Sequence, residues 1–354
     1  MSRAIALAAR ARHSTSPNPM VGALIVRDGQ VVGEGLHRRA GGPHAEVVAL
    51  RQAGPAASGA TVYVTLEPCA HHGRTGPCAD ALVTAGVARV VIAHRDPSAA
   101  VSGRGIRRLR AAGIEVAVGD GEAASRALNP GWLRAQVEHR PFVALKFAAS
   151  LDGKTATAAG ASRWITGPGA RGLTHRLRRA YDAVVVGAGT VVADDPQLTA
   201  RGGGGARQPL RVVIDGRLRS DPGARVHDAV PGGSLVLASL RAARDRLDAF
   251  RDAGVDVEVL DADQPSGPVI LAALASRGVS SVLVEGGGDL AWTLVRDGVV
   301  DRVYAFFGPQ FLGGASAPTP VGGAGFVELS QAMRLEVVNL RRLGPDVLVE
   351  AVAA

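Results

Sequence analysis

Four side chains in the first quarter of the chain have the types and order of a hydrolytic metal site. His44 is followed two residues later by Glu46, and Cys69 and Cys78, the only cysteines in the sequence, lie downstream of an apolar run, Thr61-Val62-Tyr63-Val64-Thr65-Leu66. One imidazole and two thiolates hold a zinc ion and leave the fourth tetrahedral position open to water. Zinc brings the pKa of that water towards neutrality, so hydroxide is available as a nucleophile. Glu46 is not a ligand in such a site. It takes the proton of the water and hands one to a departing amine, the division of labour of a zinc deaminase. A lone cysteine or histidine would be ordinary packing or surface chemistry. The full set, in this order and after a strand, points to a metal site. One feature departs from the common deaminase signature, which has two residues between its cysteines. Here eight residues separate Cys69 from Cys78, and the inserted loop carries His71, His72 and Arg74.

The segment Glu67-Pro68-Cys69-Ala70-His71-His72-Gly73-Arg74-Thr75-Gly76-Pro77-Cys78 resembles the long cysteine loop of the bifunctional riboflavin-biosynthesis deaminase/reductase family. Ser16-Pro17-Asn18-Pro19-Met20-Val21-Gly22 is similar to the family's amino-terminal motif. Gly76 stands where that family usually has a proline, a change that affects loop stiffness more than chemistry. The resemblance implies that Asn18 contacts the substrate. His71 and Arg74, by their place within the metal loop, are candidates for the substrate's phosphate, while His72 has no assigned role.

Composition sets the outer limits. A chain of 354 residues, 47% of them apolar, suggests two domains of ordinary size, each with its own core. No apolar run reaches the ~18 residues of a membrane span. Arg10 and Arg12 interrupt the only amino-terminal segment that could pass for a signal peptide. With both cysteines assigned to metal, none is left for a disulfide, which suits a cytoplasmic enzyme. The formal net charge of +8 is spread through the chain as arginine, without a basic tail and with few aromatics for base stacking, so no nucleic-acid partner is expected. Lysine occurs only at Lys146 and Lys154; in a chain that otherwise uses arginine, a site that needs a compact ammonium would explain them.

The elements needed to position the four residues follow from periodicity and turn signals. A short helix covers 5–11, and strands at 21–26 and 31–34 flank an Asp28-Gly29 hairpin turn. A helix begins at Pro43 with His44 and Glu46 in its first turn, so its positive end lies near the developing oxyanion. A buried strand at 62–66 leads into the cysteine loop, and Cys78 opens a helix to Ala85. Strands at 87–93 and 114–118 with a helix at 106–112 between them complete a three-layer α/β/α domain, residues 1–121. The resemblance implies the cytidine-deaminase-like fold. Residues 122–140 read as a connecting helix, broken near Asn129-Pro130-Gly131.

The rest, 141–354, matches the same family. Lys146-Phe147-Ala148-Ala149-Ser150-Leu151-Asp152-Gly153, Ser162-Arg163-Trp164-Ile165-Thr166-Gly167, Gly189-Thr190 and Ala193-Asp194-Asp195-Pro196-Gln197-Leu198-Thr199 resemble its reductase half, built like dihydrofolate reductase. Neither G-x-G-x-x-G nor a Walker-type lysine loop is present, which disfavours a standard Rossmann site. The candidate phosphate cradle is the turn Glu285-Gly286-Gly287-Gly288-Asp289 between a strand at 280–284 and a helix at 290–295. The resemblance implies NADPH at Ala149, Trp164, Thr190, Asp194, Leu198, Gly216, Gly287, Gly288, Asp289, Leu290, Ala291, Trp292 and Thr293. It implies substrate at Ser162, Arg178, Arg201 and Glu285, with the two arginines on the phosphate. Lys146 and Asp194 are candidates for orienting ribose hydroxyls or managing a proton. Gly216 stands where the family often has serine, so only a backbone contact would survive there.

The expected function is a two-step enzyme. The first domain hydrolyses the ring amine of 2,5-diamino-6-ribosylamino-4(3H)-pyrimidinone 5′-phosphate, and the second reduces the ribosyl group to ribityl with NADPH. The family suggests a homo-oligomer. The main rival is a nucleic-acid or nucleoside base deaminase with an accessory domain, against which the reductase-like segments argue. A binding protein with a vestigial site is disfavoured by the presence of all four zinc-site residues.

Overall fold

The computed structural model describes the whole chain except residues 12–13, 71–75, 99–100 and 203–206. The chain divides into two units, Met1–His139 and Arg140–Ala354.

In the first unit the elements run α1 (Ser2–Ala9), β1 (Gly22–Arg27), β2 (Gln30–Leu36), α2 (Ala45–Ala53), β3 (Thr61–Val64), α3 (Cys78–Thr84), β4 (Arg89–Ile92), α4 (Arg104–Ala111), β5 (Glu115–Val118), α5 (Glu122–Leu128) and α6 (Pro130–Glu138). The sheet order is β2-β1-β3-β4-β5. β1 pairs antiparallel with β2 and β3, whereas β3, β4 and β5 are parallel. Asp28 and Gly29 both take positive φ, +49° and +74°, which fits the right-handed twist of the hairpin they close. α2 lies almost directly on β2. A Cβ at Gly35 would sit 1.9 Å from the carbonyl oxygen of Ala45, and one at Gly33 2.3 Å from that of Ala49. Only glycine permits this approach, which sets the height of α2 above the sheet. α4 meets the cysteine loop in the same way, since a Cβ at Gly105 would fall 1.9 Å from the Pro68 oxygen. The helix expected from Pro43 begins at Ala45, and His44 is its N-cap residue in extended conformation (φ −71°, ψ 160°). The histidine therefore stands just outside the helix, and only Glu46 lies in the first turn.

The stretch read from sequence as a connector is folded onto this unit as α5 and α6. Ser125 Oγ donates to the Thr65 oxygen at 2.7 Å. The buried Asn129 grips Met20 twice: its Oδ1 accepts from Met20 N at 2.7 Å and its Nδ2 donates to Met20 O at 2.9 Å. A short broken helix carries little tertiary information in its sequence, and these polar contacts were not legible there.

The second unit runs β6 (Phe142–Ser150), α7 (Pro168–Ala180), β7 (Ala183–Gly187), α8 (Ala188–Asp194), β8 (Leu210–Ile214), β9 (Ser234–Ala238), α9 (Arg244–Asp252), β10 (Asp256–Val259), α10 (Gly267–Ser276), β11 (Ser281–Glu285), α11 (Gly288–Arg296), β12 (Arg302–Gly308), β13 (Leu335–Leu343) and β14 (Asp346–Ala353). The sheet order is β10-β9-β8-β7-β11-β6-β12-β14-β13. It is parallel from β10 to β12, and the β13–β14 hairpin adds antiparallel strands at one end. Neighbouring residues of one strand feed separate cores. Val143, Leu145, Val185, Val282 and Val284 belong to one cluster, and Ala144, Val184, Val186 and Leu283 to the other. That burial on both faces is why these strands read as unbroken apolar runs. No helix among the described residues is long and apolar enough to cross a membrane.

Candidate functional site

Three elements of the first unit bring the metal-site residues together. His44 comes from the start of α2, Cys69 from the loop after β3 and Cys78 from the first position of α3. His44 Nδ1 lies 3.2 Å from Cys78 Sγ and 3.6 Å from Cys69 Sγ, and all three ligand atoms fall within 4.8 Å of one another. Ligands about 2.0–2.3 Å from a tetrahedral zinc are roughly 3.5 Å apart, so the spacing fits that ion. Neither cysteine is in a disulfide. Cys78 N also donates to Cys69 Sγ at 3.3 Å, which favours a thiolate there. The hydrogen bond from Cys78 holds the Cys69 thiol far below its ordinary value, at about 4, and the same bond with burial pushes the Cys78 thiol up. The hydrogen bond to Cys69 raises His44. Glu46 is 4% exposed, and burial lifts its carboxyl to about 7. A carboxyl poised near neutral pH can both accept and return a proton.

A pocket of about 600 Å³ opens onto His44, Glu46 and Cys69. Asn18 lines it, and a residue missed in the sequence fixes the direction of its amide. His37, buried at the end of β2, is held below its ordinary pKa by burial. The Pro43 carbonyl can only accept, so His37 Nδ1 carries the proton and donates to it at 3.0 Å. His37 Nε2 is then an acceptor and takes a hydrogen bond from Asn18 Nδ2 at 3.0 Å. Asn18 is left with Oδ1 to offer to a ligand. Asp96 also lines the pocket, and burial raises its carboxyl. A lone histidine after a strand and an Asp-Pro pair gave no signal of this in sequence. His71 and Arg74, with His72, lie outside the described residues.

In the second unit Lys146 lies midway along β6, Arg178 in α7 and Asp194 at the end of α8. Glu285, the last residue of β11, is 8% exposed. It accepts from Arg178 Nε at 2.6 Å and from Arg178 Nη2 at 3.0 Å, and Lys146 Nζ lies 3.7 Å away. Burial alone would raise the Glu285 carboxyl, but the charges of Arg178 and Lys146 outweigh it and hold it below its ordinary value. Burial pulls the Lys146 ammonium down, and Glu285 opposes that. Arg178, expected on the phosphate, has its guanidinium committed to Glu285 and to the Thr199 oxygen at 3.0 Å. Arg201 is exposed and bonds Gln197 Oε1 at 3.0 Å. Asp194 accepts from Ser162 Oγ at 3.0 Å. Lys146 and Asp194 thus belong to separate clusters, and among the described residues no hydrogen bond or ion pair joins them.

The turn before α11 is closely packed and built on glycine. Gly286 and Gly287 take φ of +92° and +89°, and a Cβ at Gly286 would stand 3.3 Å from Thr190 Oγ1. That places the starts of α8 and α11 side by side. α11 begins at Gly288, two residues earlier than expected, with Asp289 exposed. Leu290 and Ala291 turn their side chains into the core, so only their backbone faces outward chemistry. Trp292 packs edge-on against Phe326, with centroids 4.9 Å apart, and Thr293 Oγ1 bonds Asp289 O. Ala149 is buried in β6, Leu198 is buried with φ +55°, and Trp164 is 68% exposed beneath the Arg171 guanidinium. The Gly216 carbonyl accepts from Ser239 Oγ at 2.7 Å, so that backbone group is engaged.

Comparison with known proteins agrees with both halves. Residues 1–94 match the model of the cytidine and deoxycytidylate deaminase zinc-binding region, and residues 141–349 that of the RibD C-terminal domain. The riboflavin biosynthesis protein RibD of Actinobacillus pleuropneumoniae is 40% identical over 99% of this chain and 94% of its own length. A solved structure of Acinetobacter baumannii RibD is 41% identical with a TM-score of 0.90, covering 100% of this chain and 97% of that one. A Thermotoga maritima structure, described as a diaminohydroxyphosphoribosylaminopyrimidine deaminase/5-amino-6-(5-phosphoribosylamino)uracil reductase, is 37% identical with a TM-score of 0.86 and the same coverage. The first unit is accordingly cytidine-deaminase-like and the second dihydrofolate-reductase-like, with zinc the cofactor of the one and NADPH that of the other. The chain belongs to the RibD family of bifunctional deaminase/reductases of riboflavin biosynthesis.

Proposed function

We propose that the ring amine of 2,5-diamino-6-ribosylamino-4(3H)-pyrimidinone 5′-phosphate is hydrolysed at Glu46, with His44, Cys69 and Cys78 as the zinc ligands. The observation that carries this reading is a carboxyl buried beside that ligand set and titrating at about 7. Zinc, when bound, supplies an acidified water as the nucleophile. Glu46 takes the proton of that water and returns one to the amine, which leaves as ammonia while the ring carbon becomes a carbonyl. Asn18, its amide turned by His37, accepts a hydrogen bond from the pyrimidine, and His71 and Arg74 meet the phosphate.

For the second reaction NADPH, when bound, supplies the hydride that reduces the sugar C1′. The cofactor positions remain those named from sequence: Ala149, Trp164, Thr190, Asp194, Leu198, Gly216 and Gly287–Thr293. Lys146 and Asp194 hold the sugar hydroxyls and manage the accompanying proton. Glu285 opposes the downward pull of burial on Lys146, Ser162 steadies Asp194, and Arg201 is the arginine left exposed for the phosphate. The Arg178–Glu285 pair supports a positioning role for Arg178 in place of a free anion clamp.

The family's homo-oligomer is supported by β13. This outer strand exposes Leu335 (44%), Val337 (59%), Val338 (50%) and Leu340 (68%). A long apolar edge strand is a template for pairing, and a second copy of this chain is the occupant we infer. Light scattering at micromolar concentration should give a dimer or larger, and Val337→Lys with Leu340→Lys should reduce it to 36.2 kDa. A monomeric native chain would contradict this. The cytoplasm is the proposed location, given two cysteines placed as metal ligands in place of a disulfide.

A crossed pair of variants separates the activities. Glu46→Ala should cut ammonia release about 10²–10⁴-fold yet oxidise NADPH at the native rate with the deaminated compound. Lys146→Ala should do the reverse. Loss of both activities in either variant would defeat the assignment.

Glu46 also sets a pH dependence. Its folded pKa lies above the ordinary 4.5, so the folded state binds the proton more tightly. Its contribution to stability is complete below about 4.5 and is lost as pH rises through about 7. Glu46→Gln cannot ionise. After chelator treatment, the variant should gain on the native protein by about 3 kcal/mol between pH 4 and 8, read from denaturant midpoints. A gap independent of pH would refute a buried, proton-holding Glu46.

A further inference from the structure

The generic zinc-binding region ends at residue 94, but the deaminase pocket does not. Trp132 and Gln136, from the third and seventh positions of α6, line the same cavity as His44, Glu46 and Asn18. The two are four residues apart and therefore share one helix face. Trp132 is partly buried against the core of the unit, and Gln136 is half-buried with no hydrogen bond to its side chain among the described residues. A polar side chain that faces a pocket and has no protein partner is suited to a ligand.

The attachment of α6 is also aimed at the site. Its N-cap residue, Asn129, is buried and holds both backbone polar groups of Met20. Met20 follows directly on the Pro17-Asn18-Pro19 turn that lines the pocket. One helix earlier, Ser125 is bonded to Thr65, next to Leu66 and Glu67 of the pocket wall. α6 itself buries no residue completely. Its place is set by the partial packing of Trp132 against the core together with the Asn129 clamp.

We propose that α6 is a substrate-binding wall of the deaminase: Trp132 lays its ring against the substrate and Gln136 supplies a hydrogen bond, together favouring a ribosylamino-phosphate-bearing pyrimidine over smaller amines. A cavity of about 600 Å³ is larger than a bare pyrimidine ring fills, so an added wall has a substrate arm to grip. Asn129 is the positioning residue that sets the wall at its height. The inference rests on the pocket being the deaminase site.

The test uses the full-length, zinc-loaded protein. Trp132→Ala and Gln136→Ala should each raise KM for deamination, Trp132→Ala by about tenfold, as loss of an aromatic stacking surface does. kcat should stay within about twofold, and zinc content and NADPH oxidation with the deaminated compound should be native. Trp132→Phe, which keeps an aromatic face, should recover most of the loss. Unchanged KM in both alanine variants would overturn the proposal, as would a parallel fall of kcat and zinc content that phenylalanine does not repair, since that marks a purely structural helix. Glu46→Gln, assayed beside them, tests the pocket assignment separately: if it deaminates normally, the site itself is misplaced, whatever the α6 variants show.

Discussion

The first activity depends on how close a helix can come to a sheet. Gly33 and Gly35 in β2 allow the backbone of α2 to rest on the strand at distances no side chain would permit. That height brings His44 and Glu46 level with the cysteines delivered by the loop after β3 and by α3. The result is one nitrogen and two sulfurs at tetrahedral spacing, 3.2 and 3.6 Å from imidazole to the thiols. Metal ligands tolerate errors of a few tenths of an ångström, so a lift of α2 by one methyl group would matter more here than the same change in a core. The zinc site is thus a consequence of glycine placement as much as of ligand chemistry.

Burial serves the two halves in opposite ways. In the first unit it outweighs the hydrogen bonds and the His44 charge that oppose it at Glu46 and lifts the carboxyl to about 7. In the second it acts on Glu285 and Lys146 together. There the two cations outweigh it for the carboxylate, which is held below its ordinary value, while burial draws the Lys146 ammonium down. For Glu46 burial outweighs the opposing hydrogen bonds and the His44 charge, whereas for Glu285 two neighbouring cations outweigh burial. The sequence shows both as glutamates near glycines or histidines, and only the surroundings tell them apart.

The gathering of His44, Cys69 and Cys78, the buried strands and the glycine turn before α11 were legible in the chain, each through a local signal: residue types in order, apolar runs bounded by turns, or a strand-turn-helix with glycines. What stayed hidden was tertiary. His37 looked like any histidine at a strand end until Pro43 and Asn18 were placed around it. Arg178, expected on the phosphate, pairs with Glu285, 107 residues away, a pairing that had no local signal. Lys146 and Asp194 take partners 139 and 32 residues away in the chain, Glu285 and Ser162, which no local pattern announces. Segment 122–140 read as a connector because two short helices carry no fold signal, and the bonds of Ser125 and Asn129 span 60 and 109 residues.

X-ray absorption at the zinc edge of the purified, zinc-loaded protein tests the central claim most directly. The account predicts two sulfurs at about 2.3 Å, one imidazole nitrogen at about 2.0 Å and one further light atom from solvent. A shell of four protein ligands, or one with fewer than two sulfurs, would contradict it.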